Sequence, residues 1–90
     1  MSPIVLAELL SDPIIDPAAE ELILKYPLIR IGEGFWYRAA KLRSSFLMRE
    51  YLPKLADTLI AQLCLDWDVP LLTRDRHFDT FVRHAHLRVL

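Results

Sequence analysis

Proline sets the grammar of this chain. The six prolines cut it into short elements, because proline is tolerated in the first turn of a helix, breaks a helix interior and cannot donate to a sheet ladder. Ser2 followed by Pro3 reads as an N-cap and first helical residue, so "SPIVLAELL" predicts a helix from Pro3 to about Leu10. The two Asp-Pro steps at Asp12 and Asp16 are turn signals, and the second opens a helix from Pro17 to about Lys25. Pro27 closes it. "LIRI", between Pro27 and Gly32, reads as a short strand.

Across residues 34–50 Phe35, Ala39, Leu42 and Phe46 recur at helical spacing, with Trp36, Ala40 and Leu47 beside them. The other side carries Arg38, Lys41 and Arg49, which makes this an amphipathic helix with a basic stripe. Pro53 starts the next helix, where Leu55, Leu59, Leu63 and Trp67 form one row and Ala56, Ile60 and Cys64 the next. "VPLLT" then reads as a buried strand, residues 74–84 as a short helix and "LRVL" as a terminal strand. Helices alternating with apolar strands predict an α/β domain with a small parallel sheet flanked by helices.

At 90 residues the chain has room for one core, and 53% of its residues are hydrophobic, more than a lone domain of this size readily hides. Formal net charge is −1, so nothing pulls the whole molecule toward nucleic acid or membrane. The charge is unevenly spread: residues 1–33 are acidic, whereas Arg38, Lys41, Arg43, Arg49 and Lys54 face a single acid between Gly34 and Lys54. The single Cys64 excludes an internal disulfide and suits a reducing, cytoplasmic setting. No apolar run is long enough for a membrane span, and no signal peptide is indicated.

Three acids stand out. Counting Pro53 as the first helical residue, Asp57 is the fifth, on an apolar face beyond the turn where the helix dipole favours an acid. Glu8 is the lone acid in an otherwise apolar helix. Asp75, in "LLTRDRHF", follows a strand at the end where open α/β sheets bind ligands, although an aspartate there also serves as an ordinary helix cap. Isolated buried carboxylates are costly unless paired, protonated or bound to a cation. Convergence on a hard divalent ion, Mg²⁺ or Mn²⁺, would explain all three.

The stretches "SPIVLAELL", "LADTLIAQLCLDWDVPLLTRDRHF" and "LRVL" resemble the PIN-domain nucleases, most closely the VapC-type toxins of toxin–antitoxin pairs. The resemblance implies a metal-dependent endoribonuclease in which Glu8, Asp57 and Asp75 coordinate Mg²⁺ or Mn²⁺ and carry catalysis, with Thr73 close by. Asp79, one helical turn after Asp75, reads either as an assisting contact to that site or as an ordinary solvated helix acid. It implies an RNA substrate, a cognate antitoxin and a homodimer. The stripe Arg38, Lys41 and Arg49 either tracks RNA phosphates, with Arg74 and Arg76 flanking the site, or is the solvated face of its helix.

Residues 1–90 correspond to about the C-terminal two thirds of such a domain, without its first acid and two central strands. A gene fragment, a split protein or a degenerate remnant would each look like this, and exposed edges and faces would account for the surplus hydrophobicity. The alternative is a non-catalytic module that dimerises or binds the antitoxin. His77, His84 and His86 match no standard zinc spacing and read as surface histidines.

Overall fold

The computed structural model describes residues 1–49 and 51–90. Among them are five α-helices and one 3₁₀ turn, with no strand or sheet: α1 Pro3–Leu10, α2 Pro17–Leu24, α3 Phe35–Leu47, α4 Leu55–Asp66, the 3₁₀ turn Arg76–Phe78, and α5 Asp79–Ala85. The expected α/β class is therefore overturned, and the described fold is all-α. The chain forms two compact units, Met1–Arg30 and Ile31–Leu90.

The first unit is held by caps and turns rather than by a core. The Ser2 hydroxyl accepts from the backbone N–H groups of Ile4 and Val5 at 3.2 and 3.4 Å, with Pro3 at the first helical position. Asp16 caps α2 by accepting from Ala18 N at 3.1 Å. Pro27 follows the end of the second helix, and in the segment expected as a strand after it Ile29 N donates to Met1 O at 2.8 Å. The Met1 ammonium donates to Pro27 O at 2.7 Å. No residue of this unit is buried.

The second unit has a true core. Helices α3 and α4 pack together and run antiparallel, since Arg38 near the start of α3 reaches Asp66 at the end of α4. Arg43, further along α3, donates to Pro53 O just ahead of α4 at 3.1 Å. From α3 the core takes Phe35, Ala39 and Phe46, the expected stripe, though Leu42 is only half-buried. Its last expected helical position, Glu50, lies outside the described residues. From α4 it takes Thr58 and the unbroken run Ile60 to Cys64. Of the expected Leu55 row, only Leu63 is buried; Leu55 and Trp67 are about half exposed.

The C-terminal segments close the core with aromatic rings. Phe81 meets Phe46 edge-on at 5.1 Å between centroids and Phe78 at 6.0 Å, the offset geometries that aromatic quadrupoles favour. Between α4 and this cluster the chain reverses through Asp68, whose φ of 52° is left-handed. Asp68 N donates to Leu65 O and Val69 N to Cys64 O, the paired bonds of a Schellman stop. Arg88 holds Asp68 in place, donating to its carbonyl at 2.6 Å and its carboxylate at 3.0 Å.

The segments "VPLLT" and "LRVL" do meet, in parallel, at one bridge between Leu71 and Val89. Leu71 N donates to Arg88 O and Leu90 N to Leu71 O. The pairing stops there, leaving Leu72 81% and Leu90 75% exposed. A parallel pair needs cover on both faces, and a two-stranded pair without it is marginal in water.

Phe81 is fully buried and touches rings from two other elements. Phe81→Ala should therefore destabilise the second unit by about 3 to 5 kcal/mol, enough to exhaust much of the stability of a domain this small. Chemical denaturation followed by near-UV circular dichroism checks it.

Candidate functional site

Asp57 lies on α4, and Asp75 caps the 3₁₀ turn that packs on α4. Because Pro53 lies outside the helix, α4 begins at Leu55 and Asp57 falls in its first turn. An acid there is favoured by the helix dipole, so the expectation that Asp57 sits beyond that turn, without local support, is corrected. The residue is half-buried, next to buried Thr58, whose hydroxyl donates to Lys54 O at 3.0 Å.

Asp75 caps the 3₁₀ turn. Its Oδ1 accepts from His77 N at 2.9 Å and lies 2.8 Å from His77 Nδ1, while its own N–H donates to the Thr73 hydroxyl at 3.0 Å. The hydrogen bond from His77 N holds the Asp75 carboxyl below the usual carboxylate range, opposed by desolvation; the His77 ring and the Lys54 charge add to the lowering. Lys54 stands immediately before α4. The 3₁₀ turn packs on α4, and this cation lies close enough to Asp75 to act on it.

Glu8 belongs to the first unit, on α1, and it is exposed. The expectation that it is an acid enclosed in a buried helix is corrected, since α1 has no buried residue. Among the described residues, no group of three His, Cys, Asp or Glu side chains is arranged to hold a metal ion. Mg²⁺ is commonly held by one or two carboxylates together with waters and phosphate oxygens, a donor set that Asp57 and Asp75 can supply in part. Both contacts to the Asp75 carboxylate fall on Oδ1, and an ionised carboxylate has further lone pairs to offer. Asp79 is exposed in the first turn of α5, as an ordinary helix acid would be.

The expected basic stripe on α3 has varied partners. Arg38 is bound twice to Asp66, Nε to Oδ1 at 2.9 Å and Nη2 to Oδ2 at 2.6 Å. Lys41 lies over the Tyr37 ring, 5.5 Å from its centroid. Arg49 donates to His84 Nδ1 at 2.6 Å. Arg74 and Arg76, on either side of Asp75, are exposed. Trp36, beside the apolar stripe in the sequence, is 61% exposed and takes no part in the core.

Sequence reasoning missed the strongest polar cluster. The Asp66 Oδ1 that accepts from Arg38 also accepts from Gln62 Nε2 at 2.8 Å. Arg38 Nη1 donates to Glu33 O at 2.8 Å, and the guanidinium passes so close over Gly34 that a Cβ there would lie 2.7 Å from Nη1. Gly34 also has a left-handed φ of 79°, a second reason for glycine. An open cleft of about 340 Å³ beside this cluster is lined by Gly32, Arg38, Asp66 and Trp67. The i to i+4 spacing of Gln62 and Asp66 was the available signal. Arg38, 28 positions away from Asp66, gave none.

No protein-family model matches the chain, and a search of curated proteins finds no match. Among the described residues no helix is long and apolar enough to cross a membrane.

Hydrogen bonding from Arg38 holds the Asp66 carboxyl below the usual carboxylate range, with Gln62 adding to the effect and burial opposing it. A depressed carboxyl contributes stability at pH values above its unfolded pKa of about 4, and that contribution disappears as pH falls through the lower folded value. Wild-type Tm should therefore drop below about pH 4. Asp66→Asn should lower Tm at pH 7 and flatten that acid dependence, measured by thermal melts across the range.

Proposed function

We propose that this chain is part of a divalent-metal-dependent endoribonuclease of the PIN type, the toxin of a toxin–antitoxin pair acting in the cytoplasm. One arrangement supports the reading: Asp57 lies in the first turn of α4, Asp75 caps the turn packed on α4, and Lys54, immediately before α4, acts on Asp75. In this reading Asp57 and Asp75, both in the second unit, are the acids that hold Mg²⁺ or Mn²⁺. A bound ion of this kind supplies an activated water and neutralises charge on a phosphodiester. The depressed Asp75 carboxyl favours the ionised form that a metal ligand must have. Lys54 acts on Asp75, and Arg74 and Arg76 flank it in the sequence; phosphate contacts from them would orient an RNA strand.

The second reading is a non-catalytic module that dimerises or binds the antitoxin. Its support is the exposed apolar surface of the second unit, Trp36 and Met48 foremost. Metal binding separates the two readings.

Titration of the chain with Mn²⁺, followed by electron paramagnetic resonance, should show a site near one equivalent. Asp57→Asn and Asp75→Asn should each weaken it about tenfold or more, and Mg²⁺-dependent RNA cleavage should fall with it. The stability cost of Asp57→Asn should stay below about 1 kcal/mol, the worth of a first-turn charge. Unchanged Mn²⁺ affinity in both variants would eliminate the nuclease reading and leave the binding module.

A further inference from the structure

Helix α3 has two apolar faces, and its neighbours in the second unit use only one of them. Phe35, Ala39 and Phe46 turn inward. On the opposite side Trp36, Ala40, Ser44 and Leu47 form one row, with Tyr37 and Met48 on the next, and all six are exposed. The four large ones are 61%, 68%, 55% and 86% exposed for Trp36, Tyr37, Leu47 and Met48. Tryptophan, tyrosine and methionine are the residues that interface centres concentrate.

The order of these residues is self-complementary about position 42. Turning a second α3 antiparallel over the first by a two-fold axis at that position sets Trp36 against Leu47 on one edge of the stripe. It sets Tyr37 against Met48 on the other edge, and Ala40 against Ser44 in the middle. Each aromatic ring then meets an aliphatic or thioether chain, a favourable pairing for methionine. The two small residues at the crossing let the helix axes approach closely. Lys41, the only charge among them, lies at the margin over the Tyr37 ring, where its ammonium stays in water.

We infer that the outer face of α3 is a homodimer interface, formed by antiparallel pairing of α3 with α3 of a second copy about a two-fold axis near residue 42. The four large side chains expose about 600 Å² together, so the pair would bury roughly 1,200 Å², the lower limit of specific interfaces. The dimer is accordingly modest in affinity. It does not depend on the nuclease reading, because none of its residues belongs to the acidic site.

Sedimentation equilibrium of the full chain, from about 1 to 200 µM, spans the affinity such an area supports and should show reversible monomer–dimer exchange. Ala40→Glu and Met48→Asp, both at exposed positions, should each shift the dissociation constant upward at least about tenfold, with the far-UV spectrum unchanged. A mixture of the Ala40→Cys and Ser44→Cys chains should form a mixed disulfide on mild oxidation faster than either chain crosslinks with itself. A monomer at every concentration overturns the inference, as does a dimer insensitive to both charged variants. Preferential self-crosslinking of Ala40→Cys would overturn the antiparallel register.

Discussion

The second unit depends on α4 being buried through its middle. Ile60 to Cys64 are buried in succession, which means that this helix is enclosed on nearly every side at its centre and cannot confine its polar residues to an outer face. Gln62 is therefore 8% exposed and needs a partner, because an unsatisfied buried amide costs about 1 to 3 kcal/mol. Asp66 supplies the acceptor one turn on. An acid in the last turn of a helix opposes the dipole, and Arg38 offsets that with two bonds to it. The guanidinium lies over Gly34, where the left-handed φ of 79° favours glycine. One enclosed helix thus accounts for three polar positions, Gln62, Asp66 and Arg38, that look unrelated in the sequence.

Helix starts were legible because their signals are local. Ser2 with Pro3 and Asp16 with Pro17 act within three residues, and the elements they open begin where the sequence places them. The strands were not legible, since an apolar run such as "LIRI" or "LLT" becomes a strand only if another chain segment pairs with it. Leu71 found one bridge and Ile29 N donates to Met1 O; among the described residues neither run forms a strand. Pro53 misled by two residues: it precedes α4 rather than opening it, and that shift carried Asp57 from an unsupported position into a favoured one.

The same shift changes what the acids mean. A carboxylate without local support demands an explanation such as a cation, whereas Asp57 in a first turn and Asp75 as a cap each have ordinary stabilising roles. Those roles are compatible with ligation, because capping uses one carboxylate oxygen and favours the ionised state. What supports the functional reading is then the packing of the Asp75 turn on α4, with Lys54 acting on Asp75; the pairing of Asp75 with Asp57 in one site comes from the family resemblance. The arginine stripe shows the converse. Three basic residues at helical spacing were plain in the sequence, yet Arg38 is tied to Asp66 and Arg49 to His84, because a stripe records which way side chains point and not what they meet.

The surplus hydrophobicity also has a physical location. In a unit whose core is filled by Phe35, Phe46, Phe78, Phe81 and the centre of α4, the outer row of α3 adds nothing to that core. An exposed side chain such as Met48 gains no burial free energy from folding alone, while full burial of a residue of its size is worth about 1.5 to 3 kcal/mol. A helix patterned with apolar residues on opposite faces is a poor solution for a surface helix and a good one for a helix between two partners. The inner partner is α4. The outer row has the chemistry of a second contact, and its symmetry about residue 42 makes another α3 a surface that fits it.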